Sequence, residues 1–139
     1  MRFAPERLDL LVIKVVDASA LAALVFQESR ADEVADRLVQ GRLVAPALLN
    51  FEMASICRKK IAVAPRQRET MIAAYHQSLR LEIEFLPVDF HALVQTAEKA
   101  RLTTYDAAYL WLAKTLPAQL ITLDERLANA ARRAARSAR

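Results

Sequence analysis

Val12-Ile13-Lys14-Val15-Val16-Asp17-Ala18-Ser19 reads as a buried strand that delivers one carboxylate to its C-terminal end. Four of its first five residues are β-branched, which suits a pleated, packed element. An apolar run of this length is typical of a parallel strand covered on both faces. Asp17 follows at once, and Ala18-Ser19-Ala20-Leu21-Ala22-Ala23-Leu24 behind it is helical in character. Ligands of α/β sheets bind just outside the carboxyl ends of strands, so Asp17 stands where chemistry is usually placed. It is equally suited to cap the helix that follows.

The pattern recurs near the other end. Gln119-Leu120-Ile121-Thr122-Leu123 reads as a strand, Asp124 ends it, and a last helix begins near Glu125 or Arg126. Between the two, helical spacing is found up to about Gln27, near Asp32 to Val39, from about Ala47 to Ala62, from Pro65 to about Leu81, over Asp89 to Ala100, and from the Thr103-Thr104-Tyr105-Asp106 start through Leu116. Gly41, the only glycine, suits a helix stop. Leu43-Val44-Ala45, ended by Pro46, and Glu82 to Val88 supply two more strands. Pro87 puts the second of these near a sheet edge. Strands separated by helices imply right-handed crossovers and a mainly parallel sheet. The expectation is one α/β domain over residues 1–139, with an irregular lead-in at 1–11 and a basic tail at 132–139.

Composition narrows the function. With 139 residues, 55% of them apolar, the chain can bury a sizeable core and is not expected to be disordered. No apolar run approaches the ~18 residues of a membrane span, and the N-terminal residues are too charged for a signal peptide. The single cysteine, Cys57, excludes an internal disulfide and fits a reducing, cytoplasmic compartment. Its plain use is as a small buried residue. His76 and His91 stand in no ligand spacing, which argues against a histidine zinc site. Of 20 Lys and Arg, four (Arg132, Arg133, Arg136, Arg139) lie in the tail, leaving 16 against 16 acids elsewhere. The whole net charge of +4 is therefore C-terminal. Such an end can bind phosphates or simply be solvated.

Four acids stand out by position: Asp17 and Asp124 at strand ends, Glu52 near the start of a long helix, Asp106 at the start of another. If the strands before Asp17 and Asp124 are neighbours, the two carboxylates meet, and helix starts at the same sheet edge bring in Glu52 and Asp106. Carboxylates sharing a site repel one another unless a cation offsets the charge. Mg²⁺ or Mn²⁺ matches hard oxygen ligands and supports hydrolysis of phosphodiesters without a Cys or His nucleophile. Each acid also has a structural use. Asp17 and Asp124 can be N-caps, Thr103 and Asp106 a capping pair, and Glu52 a solvated helix residue.

The spacing of these blocks resembles the PIN-domain family, and within it the VapC-like toxins of type II toxin–antitoxin systems. The resemblance runs from about Val12 to Ala131. It rests on Val15-Val16-Asp17-Ala18-Ser19-Ala20-Leu21, on Pro46 followed by Glu52, on Leu102-Thr103-Thr104-Tyr105-Asp106-Ala107-Ala108-Tyr109-Leu110-Trp111, and on Leu120-Ile121-Thr122-Leu123-Asp124-Glu125-Arg126-Leu127. It implies a three-layer α/β/α domain around a mainly parallel sheet of about four to five strands. It also implies a metal-dependent endoribonuclease, with Asp17, Glu52, Asp106 and Asp124 as acidic residues around Mg²⁺ or Mn²⁺ and Ser19 and Thr122 in support. Asp17 and Asp106 would be the firmest ligands, with Glu52 and Asp124 able to act through water. Substrates would be structured RNA such as tRNA or rRNA. Homodimers and a cognate antitoxin laid across the site are implied too, and the helix around Leu48, Leu49 and Ile56 offers either a groove for it or core. Three features depart from the family. Sixteen residues precede Asp17, implying an extension or a start placed upstream of the native one. Ala100-Arg101 stand where relatives often carry glycine, and Ser55 where they often carry Asn.

RNA would be held by Arg58, Lys59, Lys60, Arg66 and Arg68, which cluster around one interhelical loop. Phosphate contacts of this kind are salt-dependent. Tyr105, Tyr109 and Trp111 fall at helical spacing and read as core rather than as platforms for bases. Two rival readings stand beside the nuclease. One is a catalytically silent module of the same fold that binds or regulates. The other is a metal-dependent phosphoesterase acting on another substrate.

Overall fold

A four-stranded sheet in the order β3-β2-β1-β4, every pairing parallel, organises the computed structural model, which describes residues 12–137. The expected lead-in at 1–11 and Arg139 of the tail lie outside the described residues. β1 (Ile13–Val16) is central and pairs with β2 (Arg42–Ala45) and β4 (Gln119–Ile121), and β3 (Ile83–Phe85) lies at the edge beyond β2. The register sets Val15 opposite both Val44 and Leu120, and Val16 opposite Ile121. Strands β1 and β4 are thus neighbours, which carries Asp17 and Asp124 to the same sheet edge.

Seven α-helices complete the described residues: α1 (Ala18–Val25), α2 (Ala31–Leu38), α3 (Leu48–Val63), α4 (Arg68–Ser78), α5 (Phe90–Ala100), α6 (Thr104–Thr115) and α7 (Glu125–Ser137). They cover the sheet in the expected three-layer arrangement. Val15, Val16, Val44 and Ile121 fill the core from the strands. α6 is deeply set along its middle, with Ala107, Ala108, Tyr109, Leu110, Leu112 and Ala113 all buried. Its alanines let the helix lie close against β1 and β4, while Tyr109 and the leucines supply volume. Cys57 is buried on α3, as a small core residue would be.

Several boundaries differ from the sequence expectation. The segment opened by Pro65 starts as a 3₁₀ turn (Pro65–Gln67), and α4 stops at Ser78, leaving Leu79 55% exposed. β3 keeps three residues of the seven expected, because Pro87 has no N–H to continue the ladder after Leu86 N–H donates to the Ala45 carbonyl. The basic end is not a tail: Arg132, Arg133 and Arg136 ride on the exposed face of α7, whose Ala-rich sequence favours helix. Gly41 lies beyond the end of α2 at φ +103°, where a Cβ would come within 2.5 Å of the Val12 carbonyl oxygen. That same oxygen accepts from Arg42 N–H at 2.7 Å and so begins the β1–β2 pairing.

The missing family glycine has a structural counterpart. Arg101 ends α5 in the left-handed region, φ 57° and ψ 46°. Its N–H reaches Glu98 O, and Leu102 N–H reaches Ala97 O at 2.9 Å, a Schellman closure. A Cβ in this conformation costs roughly 1 kcal/mol. Arg101→Gly is therefore expected to stabilise the chain by about 1 kcal/mol, read as a raised thermal midpoint in calorimetry.

No helix among the described residues is long and apolar enough to cross a membrane.

Candidate active site

Asp17 leaves the end of β1 and caps α1. Its Oδ1 accepts from Ala20 N–H at 3.0 Å and from the Ser19 hydroxyl at 2.7 Å, and its Oδ2 accepts from the Thr122 hydroxyl at 2.5 Å. Each hydroxyl directs its single proton at Asp17, so the 3.2 Å approach of Ser19 to Thr122 is a contact between acceptor oxygens. Those oxygens accept in turn: Ser19 Oγ from Leu123 N–H at 2.9 Å, Thr122 Oγ1 from Asp124 N–H at 3.0 Å. The turn after β4 is thereby fastened to the carboxylate at the end of β1, with Asp17, Ser19 and Thr122 forming one network. Asp17 and Thr122 are each 5% exposed.

The other acids come from three helix starts. Asp124 caps α7, accepting from Leu127 N–H at 2.9 Å. Thr103 caps α6 by accepting from Asp106 N–H at 3.1 Å, which fixes the Asp106 backbone in the first turn and leaves its carboxylate without a hydrogen bond among the described residues. Glu52 sits half-buried on α3 and accepts from the Tyr109 hydroxyl at 2.5 Å. The structural uses of Asp17, Asp124 and Thr103 are therefore real, and they coexist with the gathering of the acids.

Three of the acids feel the charge of another. Burial pushes the Asp17 carboxyl up, against the pull of its hydrogen bonds from Thr122, Ala20 and Ser19, and the charge of Asp124 raises it further. Glu52 is raised by burial, and then by Asp106 and Asp17, with the Tyr109 bond opposing. Asp106 is raised by burial, then by Asp124 and Asp17, with Arg126 opposing. Such a cluster is a hard, anionic donor set, which a divalent cation would neutralise. The donor chemistry fits. The side chains do not converge on one point as they stand: among the described residues no three His, Cys, Asp or Glu side chains form a ready-made metal site. Asp17 has both oxygens engaged by hydroxyls, so its ligation requires side-chain adjustment, while Glu52 gives Oε1 to Tyr109 and keeps Oε2 without a hydrogen bond among the described residues.

A groove of about 680 Å³ opens beside the crevice, with Ser19 and Leu123 at one end and Ile56, Lys59, Lys60, Val63 and Met71 along it. A cavity of about 710 Å³ between α6, β4 and α7 is lined by none of the four acids. Of the five basic residues expected to hold RNA, Arg58, Lys59 and Arg66 are exposed. Lys60 pairs with Glu28 and lies over the Phe26 ring, and Arg68 pairs with Glu69. Leu49, considered for a groove, is core at 1% exposure, while Leu48 and Ile56 are half-buried.

The PIN domain pattern matches residues 14–133. The chain belongs to the PIN-domain family. Ribonuclease VapC3 of Mycobacterium tuberculosis is 34% identical over 123 residues, covering 84% of this chain and 85% of the relative. Ribonuclease VapC9 of the same species is 32% identical over 120 residues, covering 83% and 88%. Ribonuclease VapC3 of Pyrobaculum aerophilum is 34% identical over 121 residues, covering 83% and 92%. This PIN domain is thus VapC-like. Its fold is also that of the crystal structure of PAE2754 from Pyrobaculum aerophilum, with a TM-score of 0.68 and 22% identity over 86% of each chain.

From the sequence, Tyr109 reads as core. It is core, at 1% exposure, but its hydroxyl ends on one of the four acids. Its place three residues after Asp106, one turn along the same helix face, was the available signal. Trp111 is partly buried against the core, whereas Tyr105 is 62% exposed and is not core.

Proposed function

We propose that this PIN domain is a toxin endoribonuclease that hydrolyses RNA phosphodiester bonds in its four-acid crevice and is silenced by a cognate antitoxin. What supports the reading is that Asp17, Glu52, Asp106 and Asp124, carried by four elements, lie near enough for the charge of one to raise another. A protein gains nothing in stability from such repulsion, so the arrangement points to a cationic ligand.

Asp17, Asp106, Glu52 and Asp124 would hold Mg²⁺ or Mn²⁺, Asp17 and Asp106 most directly. When bound, such a cation supplies positive charge against the charge that develops on the phosphodiester and makes water a better nucleophile. The chain's own part is positioning. Ser19, Thr122 and Ala20 N–H hold Asp17, Thr103 holds the first turn under Asp106, and Leu127 N–H holds Asp124. Arg58, Lys59 and Arg66 would take RNA phosphates, and tRNA or rRNA is the substrate class proposed. The groove along Ile56, Val63 and Met71, apolar with a basic edge, is where the antitoxin would lie. Phe51, Phe90, Val94 and Tyr105, between 62% and 78% exposed, offer apolar surface to a second copy in a homodimer.

Metal removal tests the reading. Purified protein with Mn²⁺ is expected to cut cellular RNA into discrete fragments, chelation to stop cleavage, and added Mn²⁺ to restore it. Cleavage that persists unchanged in chelator would rule the metal out. The silent-module reading draws on the capping roles of Asp17 and Asp124 and would be supported if no RNA is cut under any metal condition.

A further inference from the structure

Glu52 is the least restrained of the four acids by its own backbone. It caps nothing, it lies within α3 rather than at a strand end, and its side chain has three rotatable bonds. Among the described residues one hydrogen bond reaches its carboxylate, the Tyr109 hydroxyl on Oε1 at 2.5 Å. The two residues are 57 apart in sequence and meet only because the fold brings α3 and α6 near enough for their side chains to touch. Tyr109, in contrast, is fixed. Its ring is 1% exposed in the hydrophobic core, among the largest fully buried side chains, so the hydroxyl cannot be repositioned without moving the core.

We infer that Tyr109 is the positioning residue of Glu52: its buried hydroxyl holds Oε1 and leaves Oε2 as the oxygen that a divalent cation would take. The inference rests on the metal-binding reading of the acids. The chemistry suits the task. A phenol donates one directional hydrogen bond and brings no positive charge, so it orients the carboxylate without competing for it as Lys or Arg would. Partners of ligating carboxylates act in this way, and their loss typically costs about 10–100-fold in metal affinity or activity. A buried tyrosine also simply needs a partner for its hydroxyl. That lesser role would leave metal binding indifferent to the hydroxyl.

The test is Mn²⁺ binding to the full chain by calorimetry, for wild type, Tyr109→Phe, Glu52→Gln and the double variant, with thermal midpoints recorded on the same samples. Tyr109→Phe keeps the ring and its packing. Its Mn²⁺ dissociation constant is expected to rise about tenfold or more, and the double variant to bind no more weakly than Glu52→Gln alone. In RNA cleavage, kcat is expected to fall while KM for RNA holds, because the buried hydroxyl touches no substrate, and excess Mn²⁺ should restore the rate. Unchanged Mn²⁺ affinity in Tyr109→Phe, or additive losses in the double variant, would overturn the inference while leaving the metal reading intact. Should Tyr109→Phe be poorly folded, Glu52→Asp is the second variant: the shortened side chain no longer reaches the phenol, so Mn²⁺ affinity is expected to fall about tenfold or more, and retained wild-type affinity would overturn the inference. Wild-type protein that binds no Mn²⁺ would remove both readings together.

Discussion

Asp106→Asn should silence the protein and stabilise it at the same time. The substitution is close to isosteric, and no hydrogen bond to the Asp106 carboxylate among the described residues is lost. What goes is one charge of a mutually repelling set. Asp106 is raised above the ordinary aspartate range by burial and by the charges of Asp124 and Asp17. An acid whose folded pKa is raised stabilises the fold below its unfolded pKa, and that contribution is lost as pH rises through the folded pKa. At neutral pH the ionised Asp106 therefore works against the fold, and removing its charge helps. In metal-free buffer the Asn variant should melt a few degrees above wild type near pH 7, and the difference should vanish below about pH 4, where the acid is neutral in both states. RNA cleavage should fall by about a hundredfold or more, since an acid proposed to hold the cation most directly is lost. Thermal melts across pH in chelator and a cleavage assay at saturating Mn²⁺ check the two halves. A variant that loses activity and also loses stability would indicate a purely structural Asp106.

Thr122→Val should do the opposite to stability. The Thr122 hydroxyl donates to Asp17 Oδ2 and accepts from Asp124 N–H, and it is buried. Valine keeps the shape and leaves a buried carboxylate oxygen and a backbone donor short of partners. The expected cost is about 2 kcal/mol, or a thermal midpoint lowered by roughly 5–10 °C in a domain of this size. The hydrogen bond favours the ionised form of Asp17, so the deficit should be largest at neutral pH and shrink as pH falls through the Asp17 titration. Cleavage should drop about tenfold, because Asp17 is no longer held from β4. Thr122→Ser, which retains the hydroxyl, should recover most of both losses. A defect in Thr122→Ser with none in Thr122→Val would show that the methyl group matters and not the network.

The frame of the site was legible because it rests on local signals. A β-branched run followed by Asp and a helix occurs twice, and parallel pairing of β1 with β4 then brings Asp17 to Asp124. The caps at Asp17, Thr103 and Asp124 are short-range hydrogen bonds that residue type and spacing encode. What was not legible depends on which faces meet. α3 carries apolar residues around much of its circumference, so periodicity alone did not say that Leu49 points inward while Phe51 is 75% exposed. Tyr109 looked like core because it is core, and the partner of its hydroxyl is set by packing 57 residues away. The family's glycine before the Tyr-Asp block was seen to be missing, but only the left-handed backbone at Arg101 shows why a glycine suits that place. The last helix is legible from Leu127, Ala130, Ala131 and Ala134, and it runs on through Ser137 into the stretch expected as a tail.

RNA cleavage by the four-acid crevice is the proposed activity. Its most direct test is to induce the protein in a bacterium lacking the antitoxin, beside Asp106→Asn, and to map new RNA 5′ ends across the transcriptome. The expected result is growth arrest with a small set of discrete new ends for the native chain and neither for the variant. Arrest with the same ends in both strains, or arrest with no new ends in either, would contradict it.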